Sequence, residues 1–181
     1  DARLVCKNDD GDSKESTLKK GEVLTLTAED ERLKHGRMTI IPEKEEGITI
    51  CSLERAQGQP VYSGSLEIKK EEEGLVLINE LYLEDYLKKV VPSEMPASYE
   101  KEALKTQAVC ARTYAYRQIQ GNTYGAYGAH VDDSTSFQVY NNTQTNERTD
   151  QAVDETYGQL LTFDGEPIDA FYYSTSCGHG T

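Results

Sequence analysis

The feature that most restricts this sequence is an unbroken stretch of one periodicity between Ser98 and Gly121. Leu104, Ala108, Ala111, Ala115 and Ile119 recur at i, i+4, i+7, i+11 and i+15, the spacing of a single helix face. Most of these side chains are small, so neighbouring elements can approach closely and the helix should lie at the centre of its domain. Ser98 is suited to cap it, Glu100 and Glu102 favour its positive end, and Gly121 is placed to close it in a left-handed conformation. A chain of 181 residues holding one such helix has room for one ordinary domain, or for a compact body with a small lobe.

The sequence before this helix reads differently. Residues 1–78 carry short β-prone runs at 22–27, 37–41, 47–53, 61–68 and 75–78, separated by Lys/Glu/Gly turns at 43–47 and 69–74. Those charge runs read as solvated hairpin loops that also protect strand edges. From Asn79 the pattern changes. Leu83, Leu87 and Val90 predict a short helix over 83–89 that Pro92 stops, and both prolines of the segment 91–96 bias their predecessors toward an extended backbone. Residues 121–146 are polar and loop-like, 148–157 read as a helix ending at Gly158, and 159–163 with 166–173 read as a hairpin across Asp164-Gly165. The fold class is therefore α+β. A β-rich N-terminal lobe, 1–78, precedes a mixed α/β core, 79–181, whose central helix and C-terminal β-hairpin surround a groove.

Charge narrows the possible partners. Nineteen basic residues stand against 32 acidic ones, for a formal net charge of −13, which leaves no basic excess to neutralise nucleic-acid phosphates or to hold an anionic membrane. No apolar run is long enough to span a bilayer. The sequence starts at Asp1 without a signal peptide, and residues 176–181 read as the middle of a loop. An export signal or membrane anchor upstream, and a truncation at the C-terminus, are the corresponding expectations. The four cysteines, Cys6, Cys51, Cys110 and Cys177, form no CxxC pair and no zinc cassette. Cys6 and Cys51 stand in strand-like segments, where they either pair or remain two separate buried thiols.

Glu94 is the carboxylate best placed for chemistry. A Glu held between Pro92 and Pro96 has little freedom to drift, which suits an acid whose distance to a scissile oxygen must be kept within fractions of an ångström. Its expected place near a helix N-terminus is an objection, because that end favours a carboxylate over the protonated acid, so burial in an apolar pocket has to outweigh it. Twelve tyrosines and no tryptophan supply a second hint. Tyr124, Tyr127, Tyr140, Tyr172 and Tyr173 fall in loop and hairpin segments, and a flat face with a polar tip suits a sugar ring. A thiol hydrolase built from Cys110 or Cys177 with His130 or His179 fits less well. Cys110 sits between Ala108, Val109 and Ala111 on the helix as an inert thiol, and Cys177 with His179 offers only two ligands.

Several ordered blocks carry a resemblance. Leu81-Tyr82-Leu83-Glu84-Asp85-Tyr86-Leu87 leads into Val90-Val91-Pro92-Ser93-Glu94-Met95-Pro96, followed by Lys105-Thr106-Gln107-Ala108-Val109-Cys110-Ala111-Arg112-Thr113-Tyr114-Ala115. Later come Ser136-Phe137-Gln138-Val139-Tyr140, Asp154-Glu155-Thr156-Tyr157-Gly158 and Ala170-Phe171-Tyr172-Tyr173-Ser174-Thr175-Ser176-Cys177-Gly178. Together, from about Val61 onward, they resemble the stage II sporulation protein D family, which includes amidase enhancers.

That resemblance implies a lytic transglycosylase acting on peptidoglycan strands freed of their stem peptides, outside the cytoplasm, during sporulation or wall remodelling. It would work beside a cell-wall amidase and membrane-anchored sporulation proteins, with no nucleic acid. The implied catalytic glutamate falls on Glu94, and the implied groove residues are Gln107, Arg112, Gln138, Tyr140, Tyr172, Ser174 and Ser176. The alternative is a glycan-binding module that activates an amidase without cutting. Some relatives carry a zinc-binding His-Cys pair before the Gln-x-Tyr element, where this sequence has Ser136-Phe137. Neither side chain replaces such a ligand, so no cofactor or metal is implied. Elemental analysis of the purified protein is expected to find less than stoichiometric zinc, and one tightly held zinc per chain would contradict this.

Overall fold

The computed structural model describes residues 1–181 except 9–11, 35, 45–46, 56–57, 135, 143 and 174–181. It divides into two compact units, Asp1–Tyr82 and Leu83–Thr181.

The first unit is built on an antiparallel sheet of β1 (Ala2–Asn8), β2 (Ser13–Leu18), β3 (Gly36–Pro42), β6 (Ser65–Glu71) and β7 (Gly74–Glu80), in the order β2-β1-β3-β6-β7. Alternation fixes the register. Leu4 faces Ile40, which faces Leu66, and Cys6, Met38 and Ile68 form the next row, so one face of three strands is continuous apolar surface. Leu4, Met38, Ile40, Leu66 and Ile68 are all buried, with Leu33 of the short 3-10 turn Glu31–Leu33. A second, two-stranded ladder joins β4 (Ile48–Thr49) to β5 (Val61–Tyr62).

Two local readings change in this unit, and one strand is added. Residues 22–27 form no strand: Leu24 and Leu26 are half-buried and Val23 is exposed, but no partner strand completes a ladder, and alternation without a ladder is insufficient. The strand β2 has no apolar pattern, because as an exposed edge it is held by its pairing with β1. Lys69, Lys70 and Glu71 belong to β6, so the expected turn at 69–74 contracts to Glu72-Glu73, closed by Gly74 at φ 146°. Cys6 is half-buried and Cys51 exposed, both as free thiols, so they are neither a disulfide nor a buried pair.

The second unit packs α1 (Leu83–Glu94), α2 (Lys101–Gln120) and α3 (Glu147–Glu155), followed by a hairpin of β8 (Thr162–Phe163) and β9 (Glu166–Pro167). In α2, Leu104, Ala108 and Ala111 are 0% exposed and Ala115 is 3% exposed, so the expected stripe is the core-facing side. Its ends differ from expectation. The N-cap is Glu100 and not Ser98, Gly121 is extended at φ −82°, and Ile119 is exposed because the stripe has rotated to the side by the last turn.

The main departure is in α1, which passes through Pro92 instead of stopping before it. An internal proline costs about 3 kcal/mol. Val90 and Val91 are both 0% exposed, and such burial contributes roughly 1.5–3 kcal/mol for each side chain. Ser93 Oγ also donates to the Lys89 carbonyl at 2.7 Å, inside the disturbed turn. Packing therefore outweighs the local rule, and residues 91–94 are helical, not extended. At the other end of the unit, Asp164 and Gly165 both take positive φ (51° and 84°), as a two-residue hairpin turn requires.

Candidate active site

Glu94 closes α1 and stands half-buried at a cleft of about 320 Å³. Tyr114 of α2, with Phe171 and Tyr172 from the segment after β9, forms one part of the lining. Ser136, Phe137 and Val139 of the 121–146 loop form the other. Among the described lining residues, Glu94 is the only carboxyl group. Because α1 continues through Pro92, Glu94 lies at that helix's C-terminal end, where unpaired carbonyls carry partial negative charge.

A directed set of hydrogen bonds fixes the carboxyl group. Its Oε1 accepts the Val139 N–H at 2.7 Å and the Tyr172 hydroxyl at 3.3 Å. The Tyr172 oxygen in turn accepts from Gln138 Nε2 at 2.9 Å, and the same nitrogen donates to the Ala111 carbonyl at 3.2 Å. Gln138 Oε1 accepts from the Tyr86 hydroxyl at 3.1 Å, and the Tyr86 ring stacks on Tyr140 with centroids 5.4 Å apart. Burial pushes the Tyr86 and Tyr172 hydroxyls well above the ordinary tyrosine range, and the neighbouring Glu94 charge adds to this, so both stay protonated donors. Oε2 of Glu94 has no hydrogen-bond partner among the described residues. The loop is tied to α1 a second time by the Asn141 N–H, which donates to Ser93 Oγ at 3.3 Å.

Those of the expected site residues that the structure describes separate into three groups. Glu94 and Tyr172 meet in the cleft. Gln138 (1% exposed) and Tyr140 (5% exposed) lie behind it, where they position Tyr172 and Tyr86. Arg112 and Gln107 do not line it. Arg112 is 1% exposed and its guanidinium is committed to protein partners: Nε and Nη2 hold both Glu84 oxygens at 2.8 Å, and the remaining donors reach Thr156 Oγ1 and the Val153 and Gln159 carbonyls. Gln107 is 8% exposed and its Nε2 has no partner among the described residues. Ser174, Ser176, Cys177 and His179 lie outside the described residues. Cys110 is half-buried, and burial pushes its thiol up, away from the reactive thiolate.

Tyr86, Tyr114, Phe137, Val139 and Phe171 are the parts of the site that the residue pattern did not single out. Tyr114 was within reach of helical spacing, three positions after Ala111 and seven after Gln107. Its ring meets Phe171 edge-on at 5.9 Å, while Phe137 leans on Tyr124 at 5.6 Å. Tyr124 is braced by its hydroxyl, which donates to Asp132 Oδ2 at 2.6 Å. The cleft thus gathers aromatic rings from α2, the 121–146 loop and the segment after β9 with one carboxyl group.

Residues 71–163, just over half of the chain, match the SpoIID family, described as stage II sporulation protein. The chain belongs to this family. It is 38% identical over 117 residues to stage II sporulation protein D of Bacillus subtilis, covering 56% of this chain and 34% of that protein. It is 43% identical over 93 residues to the amidase enhancer of Bacillus subtilis, covering 51% and 12%. An uncharacterized protein of Brachyspira hyodysenteriae is 38% identical over 143 residues, covering 78% and 36%. The chain thus spans little more than a third, or less, of the length of these relatives. No helix among the described residues is long and apolar enough to cross a membrane.

Proposed function

We propose that this protein cleaves peptide-free peptidoglycan strands as a lytic transglycosylase in a sporulation or wall-remodelling role outside the cytoplasm, with Glu94 as both acid and base. The observation that carries this reading is a single carboxyl group among the described lining residues, fixed through Oε1, with no partner for Oε2 among the described residues, in a cleft lined by aromatic rings. Hydrolytic glycosidases use two carboxyl groups about 5–9.5 Å apart, one of which acts as nucleophile or activates water. A transglycosylase needs only one. Glu94 Oε2 gives its proton to the leaving glycosidic oxygen, then takes the proton of the substrate's own C6 hydroxyl as that oxygen closes on the anomeric carbon. The broken bond is C1–O4 and the new one C1–O6, so no water is consumed. Tyr172 and Val139 hold the carboxyl group in place throughout, and the aromatic rings offer faces to the sugar CH patches.

The product decides between the mechanisms. Digestion of peptide-free strands in ¹⁸O-labelled water is expected to give unlabelled 1,6-anhydro-N-acetylmuramic ends, lighter than hydrolytic ends by one water. Reducing ends carrying ¹⁸O would assign a hydrolase instead. A second reading, a glycan-binding activator of a cell-wall amidase, is favoured by the likeness to the amidase enhancer. It predicts binding of the same strands with no cleavage, with and without the amidase.

A further inference from the structure

A glycan strand without stem peptides is not a neutral polymer. Removing the peptide hydrolyses the amide that joins it to the lactyl arm of muramic acid: one water is consumed, the amine leaves with the peptide, and a carboxylate stays on the sugar. Every second sugar of such a strand is then an anion. A protein of net charge −13 repels it unless a cation stands beside the binding cleft.

The unit Leu83–Thr181 contains seven lysines and arginines in sequence. Lys88 pairs with Asp154, Lys89 faces Asp150, and Lys101 and Lys105 both reach Glu155. Arg112 is enclosed with Glu84, and Arg148 donates to the Ala97 and Tyr99 carbonyls. Arg117 remains. It lies one turn beyond Tyr114 on α2, and its partner Asp169 precedes Phe171 by two residues, with the Phe171 N–H donating to the Asp169 carbonyl at 3.0 Å. Tyr114 and Phe171 are the ring pair of the cleft wall, so the ion pair sits on the same seam as that wall.

We propose that Arg117 and Asp169 form a carboxylate-recognition subsite at the rim of the cleft, in which Arg117 exchanges Asp169 for the free lactyl carboxylate of a peptide-free strand. The proposal rests on the glycan reading above. Arg117 touches Asp169 only through Nε, at 3.1 Å, and its terminal nitrogens have no partner among the described residues. That leaves most of a planar donor fork available for a carboxylate, which it matches in geometry. Both side chains are open to solvent, so the resident pair is weak and readily exchanged. The reaction that must supply this substrate is amide hydrolysis at the lactyl arm.

The test is binding, measured by calorimetry on the full chain carrying Glu94→Gln, with two probes: peptide-free strands bearing free lactyl carboxylates, and the same strands with those groups converted to neutral methylamides. The acid form is expected to bind more tightly. Arg117→Gln should weaken the acid form about fivefold and leave the amide form unchanged, a size set by exposed ion pairs. Asp169→Asn should strengthen the acid form, because it frees Arg117. A pair that merely staples Phe171 to α2 would give the opposite pattern, with both substitutions weakening both probes alike, and that result overturns the proposal. Equal affinity for the two probes overturns it while leaving the glycan reading intact, and no binding of either probe removes both. Cleavage surviving Glu94→Gln would refute the assigned chemistry without touching this comparison.

Discussion

Glu94→Gln is expected to lower cleavage of peptide-free strands by roughly 10²–10⁴-fold, the range contributed by a positioned acid or base, with glycan affinity and thermal midpoint close to those of the parent. Gln keeps the shape of the side chain, and its amide oxygen still accepts the Val139 N–H and the Tyr172 hydroxyl that Oε1 accepts now. Its nitrogen then occupies the position of Oε2 and cannot pass a proton. The check is product yield by mass analysis beside a binding measurement on the same sample. Near-parent turnover would remove Glu94 from the chemistry.

The other large effect concerns stability. Arg112→Met is expected to destabilise the protein by about 3–5 kcal/mol, because it leaves Glu84 largely buried without its counter-charge. For a unit of this size the loss corresponds to a fall of roughly 12 °C or more in the thermal midpoint. Glu84 retains only 18% side-chain exposure, and the same guanidinium also ties the end of α3 to α2. The double variant Arg112→Met/Glu84→Leu should recover most of the loss, since removing both charges leaves nothing unpaired. Thermal unfolding of the two single variants and the double variant reads this directly. Were Arg112 a sugar contact, its replacement would weaken glycan binding and leave the midpoint unchanged.

The elements that could be read from the sequence are those whose cause is local. Asp164-Gly165 announces its turn because two adjacent positive φ angles suit few other pairs, and α2 announces its buried face by spacing alone. What could not be read depends on distant packing. Pro92 predicts a helix stop, and the burial of Val90 and Val91 carries α1 past the expected end at residue 89 to Glu94. The site shows the same division. Glu94 is visible through its motif, but one of its two hydrogen-bond partners is the backbone N–H of Val139, which has no residue signature, and the other, Tyr172, is 78 residues away. Arg112 shows the converse, since its motif position suggests a ligand contact while its surroundings make it a buried tie between helices.

Tyr172 gives its single proton to Oε1 and Val139 gives its N–H to the same atom, so the two oxygens of Glu94 are not equivalent, and the proposed chemistry falls to Oε2 alone. A carboxyl group with both oxygens free could serve the two faces of a sugar ring in turn. In the proposed reaction this one serves only one face. Under the proposed mechanism, the departing oxygen and the hydroxyl that replaces it come to the same atom in succession, without the ring turning over between the steps. On that reading, a sugar whose attacking group lies on the far side of its ring would find no base within reach, however well it fits between the aromatic rings.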